Sequence, residues 1–343
     1  MQDGITTSSG FWKIILNMCG EPGRVRPKQK GERQTMQYYL APMEGITTWI
    51  YRKAHAEVYQ ALDKYFIPFL ETHEKRDFKV RELQEILPEH NEGIRAVPQI
   101  LTKSAEGFIR VARALKDFGY GEINLNLGCP SKTVVSRHRG AGFLAFPEEL
   151  DRFLEEIFRA VDVKLSVKTR VGKDSPEEFG RLLDIYNQYP MEELIIHPRI
   201  QADYYQKEPR MECYEEAQKR SRNPLCYNGD LFTAGRIRRF CANYPQEERL
   251  MIGRGLILNP GLIHGGTKEQ FREFHERLVE GYLGRGLSET SVLFKMKELW
   301  FYQIHLFADT KKYEKQIRKV QSLPAYRKIV EELLRERDLC PPA

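Results

Sequence analysis

Long hydrophobic runs are missing from this chain. None of its apolar stretches approaches the ~20 residues that a membrane-spanning helix requires. The run at residues 11–20 is too short to span and has no basic segment ahead of it, so it reads neither as an anchor nor as a secretory signal. Paired cysteines are missing too. Cys19, Cys129, Cys213, Cys226, Cys241 and Cys340 are scattered, with no C-x-x-C among them. That argues against a zinc site or any other metal, and against a disulfide framework. Reduced thiols in a cytoplasmic protein are the simplest expectation. No G-x-G-x-x-G follows the first strand, which disfavours a doubly wound dinucleotide-binding sheet. Charge of one sign is not in large excess either. The 54 Lys and Arg against 48 Asp and Glu leave +6, which permits a nucleic-acid partner without requiring one.

What is present begins at Met36. Residues 1–35 end in a polar stretch rich in Lys, Arg, Gly and Pro and read as a loose lead-in or an upstream extension. From residue 36 a short apolar strand, a loop and an amphipathic helix recur. Strands are expected at 38–43, 64–69, 96–100, 122–126, 165–169, 193–197, 224–228 and 249–252. The helix expected at 104–117 carries Phe108, Val111, Ala112 and Leu115 at helical spacing. The helix at 147–160 has one stripe of Leu150, Phe153, Leu154, Ile157 and Phe158. Eight such units over residues 36–266 have the period and size of a (β/α)8 barrel, a TIM barrel. After Gly266 strand signals stop. Helices at 268–282, 291–308, 310–322 and 325–337 predict a small C-terminal helical domain over residues 267–343.

Barrel enzymes place their chemistry at the carboxyl ends of the strands. Those ends hold Pro42 and Met43, Gln99, Asn126 with Cys129, Lys168 and Arg170, His197 and Arg199, then Asn228, Gly229 and Asp230, and finally Gly253 and Arg254. The glycines after strands seven and eight suit a phosphate cradle, with ordinary tight turns as the alternative. A lysine inside the apolar strand that holds Lys168 is costly unless it faces the barrel mouth, where a cation would suit a reduced flavin. His197 is as readily a core histidine as a ligand contact. A free cysteine is often a small buried hydrophobe, the reading for Cys213, Cys226 and Cys241. Cys129 differs: it sits on a Gly128–Pro130 turn with Lys132 and Arg137 nearby, the setting of an exposed thiol. General acid, nucleophile and redox group all remain open for it.

All of these strand-end residues but His197 and Arg199 fall within A-P-M at 41–43, Q-I at 99–100, N-L-N-L-G-C-P-S at 124–131, V-K-T-R-V-G at 167–172, Y-N-G-D at 227–230 and I-G-R-G-L-I-L-N-P-G-L at 252–262, and G-A-G-F-L stands at 140–144. In order and spacing the set resembles the bacterial-type tRNA-dihydrouridine synthases. One departure is His197-Pro198-Arg199-Ile200, where members often read H-G-R-T. The resemblance implies tightly bound flavin mononucleotide (FMN), NADPH as reductant, tRNA as substrate and a monomeric enzyme. Hydride would reach C6 of a uridine and Cys129 would protonate C5. Asn126 would hold the uracil. Gln99 and Lys168 would contact the isoalloxazine, and His197 the flavin or its tail. Asn228, Gly229, Gly253 and Arg254 would hold the ribityl phosphate, with Pro42, Met43 and Asp230 in the same cofactor site. Arg170 and Arg199 are implied substrate contacts, and Lys311, Lys315 and Lys319 an RNA-facing row. A solvated charged face is the bland alternative for that row. Two other functions stay open: a flavin enzyme acting on a free pyrimidine or enone, and a non-catalytic tRNA-binding protein on the same scaffold.

Overall fold

The structure, a computed structural model, describes residues 36–340. The lead-in expected at 1–35 lies outside the described residues. Eight parallel strands close into a barrel in sequence order: β1 Gln37–Leu40, β2 Lys64–Glu71, β3 Ala96–Leu101, β4 Glu122–Leu127, β5 Lys164–Gly172, β6 Leu194–Ile200, β7 Leu225–Tyr227 and β8 Arg249–Ile252. Around them lie α1 Trp49–Tyr59, α2 Val80–Ile86, α3 Ala105–Asp117, α4 Lys132–Val135, α5 Pro147–Ala160, α6 Phe179–Tyr186, α7 Met211–Arg220, α8 Ala234–Asn243 and α9 Arg254–Leu258. Four helices follow: α10 Lys268–Gly284, α11 Glu289–Gln303, α12 Lys311–Lys319 and α13 Leu323–Glu336.

Local chemistry explains the helix starts. The Ser104 hydroxyl accepts from Gly107 N at 3.1 Å and caps α3. Pro147 opens α5, with Glu148 and Glu149 in its first turn and Arg159 in its last, all matched to the helix dipole. Every strand end but that of β8 differs from the sequence expectation, by three residues at β1, β5 and β6; β5 runs on to Gly172, so Arg170 lies within it. β1 stops at Leu40, leaving Pro42 and Met43 in the loop beyond it. β6 runs on to Ile200, so His197 and Arg199 lie within the strand. Pro198 is tolerated there because it falls where the β5–β6 register slips, between the pairs Arg170–His197 and Gly172–Ile200, and its carbonyl accepts from Arg210 N.

Parity then sorts the barrel interior. Alternate residues of each strand point inward. A middle apolar layer of Tyr39, Phe66, Val97, Ile195, Cys226 and Met251 fills the centre. Below it Lys64 bridges Glu122 and Glu193 at 2.8 and 2.9 Å. Two residues on from this layer along their strands come Gln99, His197, Asn228 and Gly253. The parity of β4 and β5 carries Asn126 and Lys168 to the same rim.

The C-terminal helices share their core with the helices outside the barrel, in one continuous apolar cluster. Phe274 of α10 meets Tyr51 of α1 edge to face at 5.2 Å, both fully buried, each contributing about 1.5–3 kcal/mol through burial. Gly281 permits this approach, since a Cβ there would come within 2.6 Å of Ile50. Further along, Lys295 of α11 donates to the Gly45 carbonyl at 2.7 Å, tying α11 to the loop after β1. Among the described residues no helix is long and apolar enough to cross a membrane.

Candidate active site

Cys129 stands on a turn that the end of β4 builds for it. Asn126 Oδ1 accepts from Gly128 N at 3.0 Å and from Cys129 N at 2.9 Å, closing the turn. The Cys129 carbonyl accepts from Ala141 N at 3.1 Å, which draws in the G-A-G segment. Gly140 has φ +54°, and a Cβ there would lie 2.9 Å from the Cys129 carbonyl oxygen, so the contact needs glycine. Cys129 is only partly buried, unlike Cys213 and Cys226; Cys241, expected in the core, is also only partly buried. Burial pushes its thiol up from the ordinary value, and Glu44 adds to this, against the opposing effects of the Ser131 amide, Arg170 and Lys168. The sulfur therefore keeps its proton at neutral pH.

Lys168 reaches the same rim from β5. It makes no hydrogen bond or ion pair with another described residue, and burial, followed by Arg170, lowers its ammonium to about 8. An ammonium left without a carboxylate partner is suited to a ligand that brings negative charge.

Arg170 is used differently from the direct substrate contact expected. It is buried, and its guanidinium donates to the carbonyls of Gly128 at 2.9 Å, Ile200 at 2.8 Å and Tyr204 at 2.8 Å. It thus joins the Cys129 turn to the loop after β6. Gln201 repeats that link through Pro130 O at 3.1 Å. Arg199 is also fully buried. It pairs with Asp230 and donates to the Lys207 carbonyl, so it too is spent on the protein. Asp230 additionally pairs with Arg254 at 2.6 Å.

The geometry fixes the state of His197. Arg199 Nη1, which can only donate, lies 3.0 Å from His197 Nε2. Nε2 is therefore the acceptor, and the proton sits on Nδ1, directed at Asn228 Oδ1 at 3.3 Å. Burial, then Arg170, Lys168, Arg199 and Arg254, hold the ring far below the usual histidine range. Asn228 passes its own N–H to Met251 O at 2.7 Å. The backbone N–H groups of Gly229 and Gly253 have no acceptor among the described residues. Met43 Sδ and Ala41 Cβ lie 3.6 and 3.3 Å from where a Gly253 Cβ would be, so a side chain there would fill the space beside the first loop.

Sequence reasoning missed Gln201 and the placement of Tyr205. The Tyr205 ring lies between Arg170 and Arg254, at 5.2 and 4.8 Å, and edge-on to His197 at 5.8 Å. Only a fold can assemble that set. Gln99, Asn126, Cys129, Lys168, His197, Asn228, Asp230 and Arg254 thus come from six strand ends, β3 to β8, to one rim. Lys311, Lys315 and Lys319 are not part of it. They occupy the exposed side of α12, whose Tyr313 and Ile317 are buried, and α12 packs on α11 and α13. Lys312 beside them is paired with Glu332 at 2.7 Å.

Comparison with known proteins bears on this site. The sequence model of the family described as "Dihydrouridine synthase (Dus)" matches residues 39–331. The tRNA-dihydrouridine(16) synthase of Pseudomonas putida is 30% identical over 235 residues, covering 66% of this chain and 72% of that protein. The tRNA-dihydrouridine synthase B of Pasteurella multocida is 25% identical over 225 residues, covering 65% and 67%. Among solved structures, morphinone reductase superposes with a TM-score of 0.46 at 11% identity, covering 66% of this chain and 84% of that one. The family match spans the barrel and most of the C-terminal helices, including all the rim residues described above, and the chain belongs to the dihydrouridine synthase family of oxidoreductases.

Proposed function

We propose that this protein reduces a specific uridine of tRNA to 5,6-dihydrouridine, with FMN held at the rim and NADPH as the source of electrons. The observation that carries this reading is the placement of the Cys129 thiol, partly exposed on its glycine turn, at the same rim as Lys168, which has no hydrogen-bond or ion-pair partner among the described residues. The names of the relatives supply the tRNA.

The residues present fit a flavin. The Lys168 ammonium would face the negative charge of a reduced ring. Gln99 spends one amide hydrogen on Asn124 and keeps the other. The N–H groups of Gly229 and Gly253, with Arg254, would hold the phosphate, and neutral His197 would line the tail. When bound, FMN supplies the hydride that reaches C6. Cys129 holds the proton for C5, and a thiol suits this task because it is neutral near pH 7 yet can release a proton. Asn126 has already committed its carbonyl oxygen to the turn, so it offers the uracil one N–H. Arg170 keeps the cysteine turn and the Tyr205 loop together.

A uridine stacked in folded RNA must be extruded into such a site, at a cost of a few kcal/mol. Backbone contacts from Lys311, Lys315 and Lys319 would help offset it. The deciding experiment maps dihydrouridine by mass spectrometry in tRNA from a host lacking this gene. One position should lose the modification and regain it with the wild-type gene but not with Cys129→Ala. An unchanged tRNA map would refute the proposal. Turnover of free uridine as efficient as that of tRNA would favour the small-substrate alternative.

A further inference from the structure

A single file of buried polar side chains crosses the barrel interior from its floor to the cysteine turn. Glu122 Oε1 accepts from the Ser166 hydroxyl at 3.1 Å. Ser166 Oγ accepts from Asn124 Nδ2 at 2.9 Å, and Asn124 Oδ1 from Gln99 Nε2 at 2.7 Å. Gln99 Oε1 accepts from Asn126 Nδ2 at 2.7 Å, and Asn126 Oδ1 from the two amides of the turn. Gln99, Asn124 and Ser166 are fully buried, and Glu122 and Asn126 nearly so.

Every bond in this file points the same way, and its two ends agree: the carboxylate at the floor only accepts, and the two backbone N–H groups at the turn only donate. Glu122 lies between the cations Lys64 and Arg95, at 2.8 and 3.1 Å, and a carboxylate in that position only accepts. Ser166 has one hydroxyl hydrogen and must give it to Glu122, so its oxygen is left to accept. Asn124 must then turn its NH2 down and its carbonyl up. Gln99 and Asn126 follow in turn. Reversing any one amide would place NH2 against NH2 or oxygen against oxygen in a dry interior, where an unmade hydrogen bond costs about 1–3 kcal/mol.

We infer that Asn124 and Ser166 are positioning residues: they transmit the donor–acceptor polarity of Glu122 to Asn126, so that its carbonyl rather than its NH2 faces the Cys129 turn. Neither residue touches the rim. They act through Gln99 and Asn126, and their value to the reaction rests on the proposed role of Cys129.

The test uses the full-length protein with Ser166→Ala, Asn124→Ala and the double variant. Ser166→Thr, which keeps the hydroxyl, serves as the rescue. The first readout needs no cofactor or RNA: the rate of Cys129 alkylation by iodoacetamide as a function of pH. Ser166→Ala should shift that profile and Ser166→Thr should restore it. The second readout is dihydrouridine formation. kcat should fall about ten- to a hundredfold in each single variant, because a small misplacement of a reacting group has that effect, with KM for tRNA unchanged. The double variant should be no worse than either single one, because both cut the same file. Wild-type alkylation and kcat in Ser166→Ala and Asn124→Ala, with only a lowered melting temperature, would overturn the inference. So would multiplicative losses in the double variant. If the alkylation profile shifts while no variant, nor the wild type, modifies tRNA, the positioning stands and the proposed function falls.

Discussion

Arg199 and Asp230 form a two-point ion pair, Nη2 to Oδ2 at 2.5 Å and Nη1 to Oδ1 at 3.1 Å, with the arginine wholly inside the protein. The same carboxylate also holds Arg254, and the same guanidinium holds His197 in one tautomer. Asp230→Ala would leave a buried arginine without its counter-charge. Stability should fall by about 3–5 kcal/mol, the usual cost of breaking one side of a buried pair, read from urea unfolding. A loss under about 1 kcal/mol would show that Arg199 finds water or another partner.

Cys129→Ala should leave the fold and flavin retention intact while turnover drops about 10²–10⁴-fold, the range of general acid catalysis. In the wild type, burial raises the thiol, so its alkylation at pH 7 should be slower than that of an unhindered cysteine. Fast alkylation at pH 7 would mean a thiolate, and the proton-donor role would fail.

Lys168 makes a prediction with two signs. Its folded-state value of about 8 lies below the ordinary 10.5. A cation lowered in this way costs stability below pH 8, and the cost fades between pH 8 and 10.5 as the unfolded chain alone still binds the proton. Lys168→Met should therefore stabilise the flavin-free protein at pH 7 by about 1–3 kcal/mol, with the gain shrinking at pH 10. The same variant should bind FMN more weakly, measured by fluorescence titration. Destabilisation at pH 7 would show that Lys168 has a protein partner.

Gly140→Ala puts a methyl group against the Cys129 carbonyl at a left-handed backbone position. Both effects oppose the turn. Activity should fall further than thermal stability does, because the damage is local to Cys129. Wild-type kcat with a lowered melting temperature would separate the turn from the chemistry.

Charge reversal at Lys311, Lys315 and Lys319 should weaken tRNA binding and reduce the slope of log affinity against log salt by about 2, as expected for lost phosphate contacts. Unchanged affinity and slope would take α12 out of the RNA interface.

Much of the fold was written locally. Apolar strands of three to nine residues, the Ser104 cap, the proline and acidic start of α5, and the glycine turn at Cys129 each depend on neighbours within a few residues. Periodicity therefore located eight strands in order, and with them the strand ends at the rim. The end of β6 was misjudged because Pro198 looks like a strand terminator. The strand continues because β5 pairs with it beyond the proline, Gly172 opposite Ile200.

The sequence alone determined which chemical groups stand at the strand ends, because side-chain parity along a strand is a local property. Cys129, Lys168 and the glycines after β7 and β8 were legible for that reason. Tertiary structure decided what each group is free to do. Arg170 and Arg199 read as ligands for a substrate, yet their partners lie 30 or more residues away at Ile200, Tyr204 and Asp230 and leave them committed to the protein. The acceptor face that Asn126 turns to the Gly128 and Cys129 amides is likewise supported from the barrel floor, through Gln99, Asn124 and Ser166 on three different strands. Hydrogen-bond direction is transmitted only between atoms in contact, and those contacts come into being when the barrel closes.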